Sequence, residues 1–268
     1  MRLDVLLGES RPVDVQGRVV VVIDVFRAAT TVATALSNGA RAVIPCETLD
    51  EVARLAATIG DRTARLGGER NMRAADGFHF GNSPGEYSAE AVAGRTILFS
   101  STNGSRMLVA SQQSRACFFA GFVNASATVE EVVAALPDAS GLLMVCAGQD
   151  QGVALEDVVL AGRIVREVGR SIAGEQRTDC GTAGPDAVEL GDAARIAMTV
   201  EEPYRSHIAA LSQDAAHAQS LKASGFEADL DICLSLDIYD RAVRYQDRQL
   251  RLTGHRPDAG GGLVQGSV

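Results

Sequence analysis

Residues 19–24 read Val-Val-Val-Val-Ile-Asp. A strand turns alternate side chains to opposite faces, so five consecutive β-branched apolar residues leave neither face for water. Such a run demands cover on both sides, as in sheets sandwiched between helices. Shorter runs repeat the demand: 42–45 (AVIP), 96–100 (TILFS), 116–120 (ACFFA) and 142–147 (LLMVCA). Helical spacing fills the gaps. Ala29, Val32, Ala33 and Leu36 share one helix face ahead of Gly39. Thr48 and Glu51 form a capping box before Val52, Leu55, Ala56 and Ile59, with Gly60 as the stop. Thr128 and Glu131 repeat that box before Val132, Ala135 and Leu136, and Pro137 ends the segment. Leu155 to Val168 reads as a further helix closed by Gly169, and 178–249 as mainly helical with one late strand at 230–237 (LDICLSLD). The expectation is an α/β fold of three layers, α/β/α, around a mostly parallel or mixed sheet. One domain is expected over 1–250, followed by a flexible glycine-rich tail at 251–268.

The segments 17–56 and 94–136 share a grammar: Gly-Arg, buried strand, polar turn, helix, second strand, capping box, helix. Two similar βα halves are one reading; the common syntax of α/β chains is the other. A third strand-turn-helix unit starts at Gly141.

Composition narrows the class of function. The chain has 268 residues, 46% of them hydrophobic, ample for a sizeable core. No apolar stretch reaches the roughly 18–20 residues of a membrane span, and the first dozen residues do not read as a signal peptide. Five scattered cysteines without a CxxC pair suit reduced, buried thiols, hence a cytoplasmic protein. Twenty-five Lys and Arg against 34 Asp and Glu argue against nucleic-acid binding. A small anionic ligand then needs locally supplied positive charge. A homo-oligomer is compatible with all of this.

In parallel sheets ligands bind at the carboxyl ends of strands, and four polar clusters fall there. The first is Asp24, Arg27, Thr30 and Thr31, where a helix start offers free N–H groups and Arg27 a two-pronged grip on phosphate. An N-capping Asp beside a surface Arg explains the same letters. The second is GGERN (67–71) with GFHFGNSP (77–84), offering Glu69, Arg70, Asn82 and Ser83; a glycine-rich turn before a Ser-Pro helix start is its plain equivalent. The third is SSTNGSR (100–106), where Thr102, Asn103 and Gly104 form a candidate anion nest beside Arg106, or an ordinary Asn-Gly turn. The fourth is CAGQDQGVALED (146–157), with Cys146, Gly148, Glu156 and Asp157; acids in a first turn also serve simply as helix-dipole partners. The clusters are rich in oxygen donors and lack a zinc-spaced His or Cys pair, which suits Mg²⁺. His79, His207, His217 and His255 stand isolated in the sequence, and each reads as structural or surface.

VVIDVFRAATT, GERN with GFHFGNSP, STNGSR, VCAGQDQGVALEDVVLAG and the late DLDICLSLD together resemble the signature segments of the 2-phosphosulfolactate phosphatase family, in that family's order, over roughly residues 1–245. The resemblance implies a Mg²⁺-dependent phosphatase of α/β/α fold that converts (R)-2-phospho-3-sulfolactate to 3-sulfolactate and phosphate on the route to coenzyme M. It also carries the family's motif positions onto the residues of the four clusters. His79-Phe80 departs from the usual Asp-Leu, Ala29 stands where Thr is common, and CAGQDQG is more polar than the usual form. The change at His79 bears on substrate shape.

On this reading Asp24 and Glu69, with Glu156 or Asp157, hold Mg²⁺. Arg27 and the N–H groups around Thr30 and Thr31 take phosphate oxygens. Thr102, Asn103, Gly104 and Arg106 take a second anionic group, and Glu156 or Asp157 is alternatively a general acid or base. No Cys-x5-Arg, D-x-D, Arg-His-Gly or P-loop motif is present. A phosphatase for another small phosphorylated hydroxy acid, and a non-catalytic anion binder, are the alternatives.

Overall fold

The computed structural model describes residues 1–8, 14–59, 64–149, 152–175 and 188–254. The first half runs β1 (Arg2–Leu6), β2 (Val19–Ile23), α1 (Ala28–Ser37), β3 (Ala42–Pro45), α2 (Leu49–Ile59), β4 (Ala64–Arg70), β5 (Arg73–Ala74) and α3 (Ala89–Val92). It continues through β6 (Thr96–Ser100), α4 (Gly104–Ala110), β7 (Ala116–Ala120), α5 (Ala125–Ala135), β8 (Gly141–Cys146) and α6 (Leu155–Glu175). The last part is β9 (Glu189–Leu190), α7 (Asp192–Glu201), α8 (Leu211–Asp214), α9 (Ala216–Ala223), α10 (Glu227–Cys233), β10 (Val243–Gln246) and β11 (Gln249–Leu252). This is an α/β fold on one open, mixed sheet of order β5-β4-β6-β3-β11-β10-β7-β2-β8-β1-β9. Among the described residues no helix is long and apolar enough to cross a membrane.

The valine run forms β2, between β7 and β8, and every residue from Val19 to Ile23 is buried. Val19, Val21 and Ile23 join the apolar cluster under α5 and α6, while Val20 and Val22 face the cluster around α1. At roughly 1.5–3 kcal/mol per buried side chain, burying only one face would waste about half of that gain.

The sheet consists of two parallel blocks, β4-β6-β3 and β7-β2-β8-β1-β9, separated by the antiparallel hairpin β10–β11. Strand pairing relates the two similar segments. Ala42 pairs Thr96 as Ala116 pairs Val19, and Ala64 pairs Thr96 as Leu142 pairs Val19. Each segment thus lends its first strand to the other segment's block. α1 is made of small residues (AATTVATALS) and is buried from Ala28 to Leu36, with residues of both blocks packed in the same core cluster. That shared core is how strands of two oppositely running blocks bring polar ends together.

Several sequence expectations need correction. Residues 230–237 are not a strand: α10 ends at Cys233, and the late strands are the hairpin at 243–252. LDICLSLD places Leu230 and Cys233 on one buried helix face, and a short apolar run does not distinguish that from a strand. The hairpin also extends past residue 250, where a tail was expected; 255–268 lie outside the described residues. Thr128 is not a cap. α5 starts at Ala125, and the Thr128 hydroxyl donates to Asn124 O one turn back at 2.8 Å. Thr48 caps α2 as expected, Glu51 N donating to Thr48 Oγ1 at 3.1 Å, but the Glu51 carboxylate accepts from Glu47 N at 2.8 Å, one residue before the cap; Gly60 lies outside the described residues. α6 runs through Gly169 to Glu175, since its packing on α7 outweighs a glycine penalty of about 1 kcal/mol.

Candidate active site

The polar ends of β2, β4, β6 and β8 meet in one mouth of about 390 Å³, joined by α9. Asp24 sits immediately after β2, 9% exposed, its Oδ1 accepting from Ala28 N at 3.2 Å as α1 begins. Its Oδ2 has no hydrogen-bond partner among the described residues and lies beside Gly104, where an added Cβ would come within 2.5 Å. Gly104 is therefore glycine because the carboxylate needs the room. The Asp24 pKa is raised to about 6: burial is the main cause, Glu69 and Glu156 add to it, and His217 with the Ala28 N–H hold it back.

Arg27 follows the cis peptide Phe26–Arg27 and is buried at the centre of an ion-pair network. Its Nη1 donates to Asp229 Oδ2 at 2.8 Å; its Nη2 donates to Glu69 Oε2 at 2.8 Å and to Met72 O at 3.0 Å. The guanidinium stacks on Phe226, 4.4 Å from the ring centre. Glu69 Oε1 accepts from Asn82 Nδ2 at 2.9 Å, and Ser83 Oγ donates to Asp229 Oδ1 at 2.6 Å. Arg27 is thus a brace between the α1 turn, the β4 end and α10, and the expected grip on phosphate is already spent on two carboxylates. The GGERN segment is likewise strand rather than turn. β4 runs to Arg70 and pairs with β5 through Glu69 and Ala74. Gly67 lets it pass the Tyr87 ring, whose hydroxyl a Cβ would strike.

Thr30 and Thr31 do not face a ligand. The Thr30 hydroxyl donates to Val25 O at 3.1 Å and the Thr31 hydroxyl to Asn82 O at 2.8 Å, both fully buried. The helix-start N–H groups of Ala28, Ala29 and Thr31 are taken by Asp24 Oδ1, Asp24 O and Arg27 O. Asp157 is a second brace: Oδ1 accepts from Val25 N at 2.9 Å and Oδ2 from Gly148 N at 3.1 Å. Burial, Glu156 and Asp24 hold its carboxyl well above the usual range, against those two N–H donors. Gly148, at φ +72° and hard against Gly152 O, admits no side chain. Cys146 is buried in the core, its thiol driven well above the usual value by burial and then by Asp157 and Glu156, so it supplies neither nucleophile nor ligand.

Thr102 and Asn103 line the mouth, the Asn103 amide donating to Gly148 O at 3.0 Å. Arg70 and Arg106 do not line it. They border an annexe of about 230 Å³ that shares Glu69, Ser101 and Thr102 with the mouth. His79 lies outside both; its Nδ1 accepts from Leu66 N at 3.1 Å, so the departure there bears on β4 rather than on substrate shape.

Two further residues belong to the site's framework. His217, on α9, joins its Nδ1 to Glu156 Oε1 at 2.9 Å and lines the mouth. Burial lowers its pKa, but the Glu156 contact and the charges of Asp24 and Glu69 outweigh that, so the net shift is upward. Asp229 opens the DLDICLSLD segment and lies on α10, where it meets Arg27 and Ser83. A lone His paired across 61 positions shows no spacing pattern.

Of the three carboxylates expected at a metal, Glu69 has both oxygens engaged and Glu156 has one oxygen on His217. Asp24 and Glu69 are the two that line the mouth, and of these Asp24 alone keeps an oxygen without a partner among the described residues. Asn82 Oδ1 and Glu156 Oε2 are buried without partners. Among the described residues no three Asp, Glu, His or Cys side chains form a metal-holding group. This donor set does not make an all-protein cage. It fits a hard cation that takes one or two protein oxygens and completes its shell with water and phosphate, as Mg²⁺ does.

An α/β fold with a carboxylate-rich pocket where strand ends converge is the architecture of an enzyme. Comparison with known sequences gives its class. The profile of the 2-phosphosulpholactate phosphatase family matches residues 7–248. A probable 2-phosphosulfolactate phosphatase of Symbiobacterium thermophilum is 37% identical over 224 residues, 83% of this chain and 89% of that protein. Similarly named proteins of Thermotoga petrophila (35% over 237 residues, 88% and 92%) and Clostridium beijerinckii (30% over 257 residues, 93% and 99%) agree. The protein is a phosphatase, a phosphoric monoester hydrolase. The chain belongs to the 2-phosphosulfolactate phosphatase family.

Proposed function

We propose that the protein hydrolyses (R)-2-phospho-3-sulfolactate to 3-sulfolactate and phosphate, the phosphatase activity that the names of its relatives carry, with Mg²⁺ as cofactor. The observation that supports this best is the charge of the mouth. Asp24 and Glu69 line it, Glu156 stands behind its His217, and Arg27, which also lines it, is held by Glu69 and Asp229. A phosphate dianion entering such a site needs a cation with it. Asp24 would hold Mg²⁺ through Oδ2, with Asn82 Oδ1 and Glu156 Oε2 as further oxygens left without a partner among the described residues; when bound, the ion supplies positive charge to the phosphoryl oxygens.

The chain's own residues supply the rest. Glu156 fixes the His217 ring through Nδ1 and keeps it protonated to higher pH than usual. The other ring nitrogen donates its proton to the leaving alkoxide as water adds to phosphorus and the P–O bond to carbon breaks. Asp157 holds the Val25 and Gly148 backbones in place around the reacting group. Arg106, Arg70 and Thr102, in the annexe, would receive the sulfonate or carboxylate at the far end.

The test is phosphate release from phosphosulfolactate, phospholactate and phosphoglycerate, with and without chelator. Mg²⁺-dependent turnover that prefers phosphosulfolactate is expected, with Arg106→Ala raising KM at near-constant kcat. Equal turnover of phospholactate would remove the sulfonate from the reading. No turnover of any substrate with Mg²⁺ restored would remove the phosphatase assignment of this mouth.

A further inference from the structure

The outer face of the sheet is covered in two separate pieces. α5 and α6 close one apolar cluster over β7, β2 and β8. α2 closes another over β4 and β6, through Val52, Ala64 and Leu98. Between them runs the hairpin β10–β11. Its inward residues Val243, Tyr245 and Leu250 are buried in the core around α1. The alternation therefore turns Arg244, Gln246, Gln249 and Arg251 outward, a wholly polar strip between two helices.

The register places Arg244 directly opposite Arg251. Like charges facing each other across an antiparallel pair oppose the fold. Among the described residues neither guanidinium has an ion-pair partner, although the chain carries nine more acids than Lys and Arg. Arg251 Nε and Nη2 both donate to Gln249 Oε1, at 3.0 and 2.7 Å. Arg244 Nε is sealed from solvent with no acceptor. Over the strip lies a pocket of about 420 Å³, with Glu131 of α5 and Asp247 of the hairpin turn in its wall. It shares no lining residue with the catalytic mouth.

We propose that this pocket binds a small molecule bearing one oxyanionic group, phosphate, sulfate or carboxylate, between Arg244 and Arg251. Guanidinium groups on two directly opposed residues lining one pocket suit an oxyanion, whose charge cancels their mutual repulsion. Glu131 and Asp247 exclude a second anionic group and suit a hydroxyl or ammonium body. A volume of this size belongs to metabolites rather than to single ions alone. The site is independent of the substrate assigned to the mouth.

Inorganic sulfate is the probe, because a phosphatase does not consume it. Calorimetric titration of the whole protein with sulfate is expected to show a binding event that Arg244→Gln and Arg251→Gln each weaken roughly tenfold or more. Arg251 is exposed, so its substitution leaves folding intact, and in sulfate-free, low-salt buffer Arg251→Gln is expected to melt at or above wild type. Sulfate binding that is equal in wild type and both variants, or undetectable in wild type, overturns the proposal.

Discussion

Asp24 ends a strand in a place where an ionised carboxylate is costly, and Glu69 and Glu156 add their repulsion. In the metal-free protein a carboxyl raised to about 6 stabilises the fold only while protonated. That contribution is complete below the ordinary aspartate range and is lost as pH climbs through 6, on the order of 3 kcal/mol by neutral pH. Asp24→Asn is therefore expected to raise the melting temperature of the metal-free protein at neutral pH while lowering phosphate release at least ~100-fold. Melting curves and a phosphate assay on the same preparation test both halves; a less stable, active variant contradicts the assignment. His217 gives the complementary case. As a general acid with a raised pKa it must lose its proton only above the usual histidine range, so the alkaline limb of kcat is expected there. Glu156→Gln should move that limb to lower pH, and His217→Gln should remove it and reduce kcat roughly 10²–10⁴-fold. A limb that stays put in both variants would assign the proton to another group.

At the scale of elements, side-chain braces decide which loops meet. Arg27 joins the turn before α1, the end of β4 and α10 through Glu69, Met72 O and Asp229. Arg27→Ala would leave two largely buried carboxylates facing each other, and a loss of about 3–5 kcal/mol is expected in denaturant melts. Arg27→Lys should recover only part, because an ammonium cannot serve three acceptors in a fork; full recovery would mean that charge alone matters. α6 and α7 are bound by a similar device. Arg166 Nη2 meets Glu201 Oε1 at 2.6 Å and Arg205 Nη2 meets Oε2 at 3.1 Å. Burial raises the Glu201 pKa, but the two arginines prevail and bring it below the ordinary value. Its contribution is thus present above the ordinary glutamate range and disappears as pH falls through the lowered value. Glu201→Gln should flatten the acid limb of the stability curve. The core strands, the helix of α1 and the Thr48 cap were legible because each follows a local period or spacing. The braces were not. Asp24, Arg27 and Glu69 were found as polar letters at strand ends, yet whether such a letter holds ligand or backbone depends on partners such as Asp229, 202 positions from Arg27. Thr30, Thr31 and Asp157 were read as ligand groups for the same reason, and they hold the chain.

The whole molecule closes through its last strands. β10 pairs with β7 of one block and β11 with β3 of the other, and the two blocks also meet in the core around α1 and through the Arg27–Glu69 and Asn103–Gly148 contacts. The pairing of 17–56 with 94–136 means that neither segment forms a block alone: β6 of the second needs β3 of the first, and β2 of the first needs β7 of the second. None of this order is readable from periodicity, which reports that a strand is buried but not by which neighbour. It has a consequence for folding. Until residue 252 is available, β3 and β7 each present an apolar edge with unpaired N–H and C=O groups, the configuration that invites pairing between chains. The inner residues Val243, Tyr245 and Leu250 are also missing from the core beside α1. A chain ending at residue 240 is therefore expected to aggregate or to lack cooperative melting, although it retains Asp24, His217 and Asp229. Full-length protein should unfold in denaturant as one transition seen by probes in either block. Supplying the hairpin as a separate peptide should not restore the truncated chain, since closing the sheet recovers its cost only when the connection is intramolecular. A truncated chain that stays soluble and melts cooperatively would show that the two blocks hold together without the hairpin.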